Sequence, residues 1–275
     1  MSKNSKQAVK KLQAFVTLSL CLILAGVASI GHTKTLKVCY DHWAPMTIFP
    51  SESSPDRGVV IDMLEQIYES EGYTLIYYEV PLARGLNMVE EGLCDMLPEY
   101  LFSKKSTVGF AYAKEETFSY TTAFVVRKDD PWVYSGIQSI KGRRIATGPG
   151  WDYSSMSMDY QDYLDDPKNA KSVEVIAGYD DVVDRIFRMI KEGRIDLYAD
   201  NELVLQHVLN QVDLNNELKI VYPGLENKLI EMPIFSKKIP LIKRQEIIKI
   251  WNKGRLSMRG KEETLLKKYK IKFEE

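Results

Sequence analysis

Residues 172–201, SVEVIAGYDDVVDRIFRMIKEGRIDLYADN, contain a complete strand–helix–strand unit and indicate the fold class. The first five residues (SVEVI) predict a strand, and residues 195–199 (IDLYA) predict a second strand. Between them apolar side chains recur at helical spacing, preceded by Asp180 and Asp181, where acidic residues suit the helix dipole. Gly193 ends the helix. Strands that alternate with helices predict an α/β protein with largely parallel sheets.

The same alternation extends to both sides of this unit. Further strands are predicted at residues 35–40, 74–80, 94–97, 119–127, 143–147, 218–222 and 229–236. Further helices are predicted from residue 59 to Gly72, from Pro81 to Gly92, from about Tyr153 onward, and at residues 202–211, 241–253 and 262–270.

Two extended stretches, near residues 117–124 and 229–236, lie between the strand–helix blocks. They can serve as paired crossovers between two lobes, which makes the first lobe discontinuous and the second an insertion. We therefore predict a first lobe of residues 30–118 and 233–275 and a second lobe of residues 119–232.

The amino terminus has the order of a secretory signal peptide. Four lysines precede an apolar run at residues 15–27, and small residues follow it. This run is shorter than the ~20 apolar residues of a transmembrane helix. We predict that residues 1–29 direct export to the periplasm and are then cleaved off, with an uncleaved membrane anchor as the alternative.

The composition argues against a nucleic-acid partner. The chain has 37 Lys and Arg against 38 Asp and Glu, and loss of the four amino-terminal lysines leaves a formal charge of −5. No basic stripe is present to meet phosphates. Beyond the amino terminus no apolar run is long enough to cross a bilayer. We expect an exported, soluble monomer.

Two cysteines, Cys39 and Cys94, remain after cleavage, each in an apolar stretch that predicts a strand. In an oxidising compartment they can pair if the strands are neighbours, and otherwise they are buried free thiols. The sequence leaves both possibilities open. The histidines His32, His42 and His207 are too few and too scattered for a metal site, so we predict neither metal nor cofactor.

Six segments in order carry a family resemblance: LKVCYDHWAP (36–45), GVVIDM (58–63), EEGLCDMLP (90–98), SIKGRRIATGPGW (139–151), EGRIDLYADN (192–201), and a tail with Trp251, Asn252, Gly254 and Lys267–Tyr269. With these segments the chain resembles bacterial extracellular solute-binding protein family 3, the amino-acid-binding type of periplasmic component of ABC transporters. The resemblance implies a type II periplasmic-binding fold: two lobes, each a mostly parallel sheet flanked by helices, and a two-strand hinge.

The resemblance also implies a mode of action. An amino acid or a similar small polar solute would bind in the cleft between the lobes, at the carboxyl ends of the strands, and closure would trap it. The closed form would then dock on an ABC transporter permease. No cofactor and no chemical step are implied.

Several residues of the resembling segments are candidate ligand contacts. A zwitterion needs a cation or a helix amino terminus for its carboxylate, a carboxylate for its ammonium group, and an aromatic wall. The candidates near the predicted strand ends are Tyr40, Asp41, Trp43, Glu99, Tyr100, Lys104, Gly150, Trp151, Asp152, Asp200 and Asn201. Trp43 is open to interpretation as a packed loop aromatic, and Trp151 as a contact on the lobe surface.

The chain departs from the family pattern at two ligand-binding positions. Amino-acid binders carry an arginine about six residues before a Phe-Ser motif, whereas this chain has Lys104 ahead of Phe110. A lysine is a point charge and not a bidentate fork, and Lys104 also fits a solvated surface. The family's ammonium-binding aspartate corresponds to Asp200 or Asn201. These departures leave the ligand class open.

Two other functions remain open. The fold also occurs in dehydratases and cell-wall lytic enzymes, and such an enzyme would use a cleft carboxyl group with a raised pKa, for which Glu99 is the candidate. No Gly-x-Ser-x-Gly, His-Glu-x-x-His or phosphate-binding loop accompanies it. The second alternative is a ligand sensor that acts through a separate membrane receptor.

Overall fold

The structure, a computed structural model, describes residues 34–101, 109–224, 228–269 and 271. The predicted signal peptide and Lys104 lie outside these ranges. From Thr35 onward the described residues form one compact unit. Within them, no helix is both long enough and apolar enough to cross a bilayer.

The strands of the described ranges form two sheets. The first contains β1 (Lys34–Tyr40), β2 (Tyr73–Glu79), β3 (Met96–Leu101), β4 (Ala111–Tyr112), β5 (Phe118–Tyr120) and β11 (Leu229–Phe235). Their order is β2–β1–β3–β11–β4, and β5 also pairs with β11. Strands β1 and β3 are parallel, whereas β11 is antiparallel to β3, β4 and β5.

The second sheet lies between these strands in sequence. It contains β6 (Thr122–Arg127), β7 (Ile145–Thr147), β8 (Val173–Val175), β9 (Leu197–Asn201) and β10 (Leu218–Val221). Their order is β10–β6–β9–β7–β8. Strand β7 is parallel to β8 and β9, and β6 is antiparallel to β9 and β10. The antiparallel pairs of both sheets thus involve the strands around the two crossovers.

Helices flank both sheets. In the described ranges they are α1 (Val59–Glu69), α2 (Leu82–Glu91), α3 (Met158–Asp165), α4 (Val182–Lys191), α5 (Glu202–Gln211), α6 (Leu241–Met258) and α7 (Glu262–Lys268). Helices α1 and α2 pack on the first sheet, and α6 and α7 lie near or against α1. Helices α4 and α5 pack on the second sheet.

Helix α1 shows how the sequence produces these layers. Its buried residues include Val60, Leu64 and Ile67, which recur at helical spacing and form one apolar face. Gly58 precedes the helix at a φ of +95°, and a Cβ there would lie 2.4 Å from the carbonyl oxygen of Met46. Only glycine fits this close approach of two backbone segments.

The chain crosses between the sheets from β5 to β6 and returns from β10 to β11. We call the first sheet with α1, α2, α6 and α7 the first lobe, and the second sheet with α3, α4 and α5 the second lobe. This is the two-lobed type II architecture that the sequence predicts, with the two crossovers as its hinge. The lobe boundaries after residues 118 and 232 stay a prediction.

One predicted strand is wrong in a way that reveals the hinge. The sequence predicts a single strand at residues 119–127, but the structure has β5 and β6 there, broken at Thr121. The break occurs because β5 pairs with β11 in the first sheet and β6 pairs with β9 in the second. Hydrophobicity marks both halves as strands but does not show that they belong to different sheets.

One predicted helix begins later than expected. The sequence predicts a start near Tyr153, whereas α3 starts at Met158. The Ser157 side chain accepts the backbone N–H of Tyr160 and caps the helix at that point. The residues before Ser157 form a loop.

A disulfide bond joins Cys39 in β1 to Cys94, with the Cα atoms 5.9 Å apart. The sequence predicts that Cys94 lies within a strand, but in the structure it lies just before β3. The next residue, Asp95, donates its N–H to the Lys37 carbonyl at 2.8 Å, and its carboxylate accepts the Lys37 N–H at 2.7 Å. The bridge therefore reinforces the contact between β1 and the start of β3.

Candidate functional site

A cavity of about 70 Å³ lies between the two lobes. Most of its lining side chains are carboxylic or aromatic: Asp41, Trp43, Glu99, Tyr100, Tyr120, Trp151, Asp152, Tyr153, Asp200 and Glu231. The lining is completed by Leu82, Leu101, Thr122, Asn201 and Leu229.

Eight of the eleven predicted contact residues line this cavity: Asp41, Trp43, Glu99, Tyr100, Trp151, Asp152, Asp200 and Asn201. Glu99 and Tyr100 lie within β3, although the sequence predicts that the strand ends before them. Gly150 contacts the other lobe instead of lining the cavity, and Lys104 is not among the described residues.

Tyr40, a predicted ligand contact, does not line the cavity and packs inside the first lobe. Its side chain is almost fully buried. Its hydroxyl accepts a hydrogen bond from Arg57 at 2.6 Å and donates one to Glu79 at 3.1 Å. These partners hold the hydroxyl inside the lobe, away from the cavity lining.

Sequence reasoning missed seven lining residues: Leu82, Leu101, Tyr120, Thr122, Tyr153, Leu229 and Glu231. Glu231 had a readable signal, because it is the single charged side chain in the otherwise apolar stretch of residues 229–236. Tyr120 and Thr122 lie at the crossover between β5 and β6, where no local pattern shows which residues face the other lobe.

Asp200 is the carboxylate that connects the two lobes. It lies in β9 of the second lobe and accepts the indole N–H of Trp43, from the first lobe, at 3.1 and 3.2 Å. The Asn201 backbone N–H at 2.7 Å and the Tyr198 hydroxyl also donate to it. Burial raises the pKa of Asp200 to about 6, although these donors favour the charged form.

Glu99 and Glu231 form a pair of buried carboxyl groups on the neighbouring strands β3 and β11. Glu99 accepts a hydrogen bond from the Thr47 hydroxyl at 2.8 Å, and Glu231 accepts one from the Tyr120 hydroxyl at 2.7 Å. The remaining oxygen of each, Oε2, is buried and receives no donor from another residue, and the two carboxyl groups are hydrogen-bonded to each other when one of them is protonated.

The same burial changes how this pair ionises. Desolvation raises the pKa of Glu231 to about 8. Desolvation, with the neighbouring Glu231 as second cause, raises the pKa of Glu99 well above its usual range. Two like charges in one buried site disfavour each other, so the pair retains a proton near neutral pH.

Asp41 adds a further carboxyl group to this side of the cavity. Desolvation raises its pKa to about 7, and Asp200 contributes to the shift. Among the lining residues that the structure describes there is no Lys or Arg to balance these groups. The described ranges also contain no group of three or more His, Cys, Asp or Glu side chains arranged to hold a metal ion.

Aromatic rings form the other walls of the cavity. Trp43 meets Tyr120 edge to face, with ring centroids 6.0 Å apart. Trp151 lies 5.7 Å from the ring of Tyr198. A Cβ at Gly148 would come within 2.4 Å of the Trp151 indole, so this glycine lets the ring lie against the backbone.

Two uncharged donors of the lining have no partner. They are the Asn201 side-chain nitrogen and the Thr122 hydroxyl, both buried. The Asn201 side-chain oxygen already accepts the Leu203 N–H at 2.8 Å and caps α5. This cap leaves the Asn201 nitrogen for a ligand.

The lobes touch each other around the cavity. The Phe49 ring lies 4.7 Å from the Tyr179 ring, and the Tyr179 hydroxyl donates to the Glu79 carbonyl at 3.3 Å. On another side, a Cβ at Gly150 would contact Ala83 at 3.4 Å. With the bond between Trp43 and Asp200, these contacts close the cleft.

Comparison with known proteins supports the fold. No protein-family model and no curated protein matches the chain. Among solved structures, an ancestral arginine-binding protein bound to arginine is similar with a TM-score of 0.69 and 18% identity, over 86% of this chain and 99% of that chain. An amino acid ABC transporter substrate-binding protein from Streptococcus pneumoniae, bound to L-arginine, gives 0.68 and 15%, over 90% and 100%.

A third solved structure is a histidine kinase sensor domain with similarity to periplasmic binding proteins. Its TM-score is 0.69 at 16% identity, over 86% of this chain and 95% of that chain. At such identities these likenesses show the fold, and a single fold can carry several functions. The chain therefore has the periplasmic-binding-protein fold.

Proposed function

We propose that the chain is an exported solute-binding protein of the family 3 type. In this proposal it captures a small polar solute between its lobes and delivers it to an ABC transporter permease. The observation that carries the proposal is the cavity itself. It lies between two touching lobes and is lined by buried polar groups without partners, such as the Thr122 hydroxyl and the Asn201 side-chain nitrogen. Such groups cost stability unless a ligand pairs with them.

The location and domain organisation are part of the same proposal. Residues 1–29 have the composition of a cleaved signal peptide, and the bond between Cys39 and Cys94 suits an oxidising compartment such as the periplasm. The lobes would comprise residues 30–118 with 233–275, and residues 119–232. The protein would act as a monomer and meet the membrane only through the permease.

The experiment is a thermal-shift and calorimetric screen on residues 30–275. Its panel holds amino acids, opines, amines and small carboxylates. A ligand that binds the native state alone raises the melting temperature by mass action. We expect at least one solute to bind with 1:1 stoichiometry and to be recovered unchanged after release. If no solute shifts the melting temperature at millimolar concentration, the proposal is wrong.

A pair of matched variants shows whether binding occurs in the cavity. Glu231→Gln removes a lining carboxylate, whereas Glu174→Gln changes an exposed carboxylate in β8. We expect the first variant to weaken binding and the second to leave it unchanged. Recovery of a chemically altered solute would favour an enzyme, in which Glu99 with its raised pKa would be the candidate acid.

A ligand sensor is the second candidate, and the similarity to a histidine kinase sensor domain favours it. Uptake of the identified solute by cells with and without the gene separates the two functions. A transport component is required for uptake, so deletion abolishes it. A sensor leaves uptake unchanged, and its deletion abolishes a transcriptional response to the solute.

A further inference from the structure

We infer that the solute held in the cavity is a small organic cation without a carboxylate group, such as an aliphatic diamine or an arylalkylamine. The inference rests on the proposed function, because it names the ligand class of the same cavity. It is carried by the charge of the lining, which has five carboxyl groups: Asp41, Glu99, Asp152, Asp200 and Glu231. Among the residues that the structure describes, no Lys or Arg lines the cavity.

The Glu99 and Glu231 carboxyl groups are the strongest part of the argument. Glu99 is 5% exposed and Glu231 is 2% exposed, and apart from the proton that the two groups share, the Oε2 atom of each has no hydrogen-bond donor. A buried carboxylate is stable only when it is paired, and an ammonium group supplies both charge and several N–H donors. A cation in this cavity can therefore replace the proton that the two carboxyl groups share.

The aromatic rings favour the same ligand class. Trp43, Tyr100, Tyr120, Trp151 and Tyr153 all line the cavity. The face of an aromatic ring attracts a cation, and this attraction is larger when water is excluded. Carboxylates and ring faces thus present negative potential from both lobes.

A ligand carboxylate meets the opposite situation. In the cavity it would face five carboxyl groups, and repulsion and desolvation both oppose its burial. The unpartnered donors of the described lining, Asn201 Nδ2 and the Thr122 hydroxyl, are uncharged. They suit a hydroxyl or carbonyl oxygen of the ligand better than a second negative charge.

The charge of the lining also predicts how binding depends on pH. A bound cation favours the ionised carboxyl groups and lowers their pKa, so binding releases protons. The groups concerned are Asp41, Asp200 and the Glu99–Glu231 pair, and the groups that face them are the hydroxyls of Tyr120 and Tyr198 and the carboxylate of Asp152. Affinity for an amine should therefore rise between about pH 6 and 8.

The test compares amines with the amino acids that differ from them only by a carboxylate. Four pairs serve: agmatine with arginine, putrescine with ornithine, tyramine with tyrosine, and histamine with histidine. Calorimetry on residues 30–275 should show at least one amine that binds at least tenfold tighter than its amino acid. Titration in two buffers of different ionisation enthalpy should show proton release on binding.

Variants place this binding in the cavity. Glu231→Gln should weaken the amine at least tenfold, and Glu174→Gln, on the surface of the second lobe, should leave it unchanged. If Glu231→Gln does not fold, Asp41→Asn takes its place, because Asp41 follows β1 in a loop and lines the same cavity.

The possible failures are distinguishable. If an amino acid binds more tightly than its amine in every pair that binds, the inference is wrong and the proposed function stands. The same holds if a neutral or anionic solute of the wider screen binds and no amine does. If nothing in the wider screen binds, the proposed function fails and the inference fails with it.

Discussion

At the scale of single residues, the cavity holds carboxyl groups in an unfavourable state. The Asp200 carboxylate accepts hydrogen bonds from three kinds of donor, yet burial still raises its pKa. For the second oxygen of their carboxyl groups, Glu99 and Glu231 have only each other as hydrogen-bond partner. A site that keeps such groups at a cost to stability is typical of a binding site, because a ligand can supply what the protein lacks.

We expect the ligand-free protein to lose stability as pH rises from about 4.5 to about 8. The pKa of Asp41 rises from 3.8 to about 7, and that of Glu231 from 4.5 to about 8, so the native state binds more protons than the unfolded state. Their stabilising contribution is present below the unfolded values and is lost as pH rises through the folded ones, at about 1.4 kcal/mol per pH unit for each proton.

The histidines oppose this change only up to about pH 7.5. Burial lowers the pKa of His42 and His207, so both are neutral in the native state, whereas in the unfolded state they lose their protons around pH 6.5. Urea unfolding at several pH values measures the effect, and Glu231→Gln should reduce the slope while Glu174→Gln keeps it. A free energy of unfolding that increases from about pH 6.5 to 8.5 would contradict the assignment of these groups.

Trp43 should contribute to binding through its indole N–H. Trp43→Phe removes the donor to Asp200 across the cleft, and hydrogen bonds to charged groups contribute about 1.5–3 kcal/mol. We expect at least about tenfold weaker ligand binding by calorimetry. The control is Trp132→Phe, which loses an indole bond of 2.8 Å to the Ser139 carbonyl inside the second lobe. Equal losses of affinity in both variants would show that Trp43 has no special role.

At the scale of elements, the site depends on strands that bring residues distant in sequence together. Strand β3 carries Glu99 and Tyr100, and its antiparallel partner β11 carries Glu231. Strand β9 carries Asp200 and ends at Asn201, which caps α5. Because the strands fix the backbone, these side chains are positioned before any ligand binds.

Gly58 at the start of α1 gives a test of backbone packing with a matched control. Gly58 and Gly136 have φ angles of +95° and +94°, but a Cβ at Gly58 would lie 2.4 Å from the Met46 oxygen, whereas nothing lies within 4 Å at Gly136. Alanine should cost about 1–3 kcal/mol of unfolding free energy at either site through the backbone. Gly58→Ala should cost about 1–3 kcal/mol more through the clash. Equal losses in urea unfolding would refute the steric explanation.

The disulfide should stabilise the first lobe through the chain segment that it closes. Cys39 and Cys94 are 55 residues apart, and a closed loop of that length stabilises by about 4 kcal/mol in the chain-entropy model. We expect the double variant Cys39→Ser with Cys94→Ser to lose about 2–5 kcal/mol by urea unfolding. Reductant should destabilise the wild type and leave the double variant unchanged. Insensitivity of the wild type to reductant would mean that the bridge contributes little.

Much of this element scale could be predicted from the sequence, and the failures have physical reasons. Helix α5 has its predicted bounds because its capping residue Asn201 and its apolar spacing agree. Tyr120 and Glu231 were missed because hydrophobic pattern identifies a strand but not the lobe that its side chains will face. The sequence does not show that Tyr40 packs inside the first lobe, because its partners, Arg57 and Glu79, are distant in sequence.

At the scale of the whole molecule, the two lobes are joined by two crossovers and touch around an acidic, aromatic cavity. Among the described residues, the contacts between the lobes include the indole–carboxylate bond, the bond from Tyr179 to the Glu79 carbonyl, the ring pair of Phe49 and Tyr179, and the approach of Gly150 to Ala83. Lobes of one chain that meet in this way can separate, and a ligand that pairs with both lobes shifts the equilibrium toward the closed state.

The most direct test of the account is the distance between the lobes with and without ligand. Spin labels introduced as non-natural amino acids at Gln66 on α1 and Asp159 on α3, both exposed, report that distance by pulsed electron paramagnetic resonance. Without ligand, we expect a broad distribution of label-to-label distances that includes long ones. The tightest binder of the calorimetric screen should reduce it to one short distance. An identical distribution with and without saturating ligand would contradict capture by lobe closure.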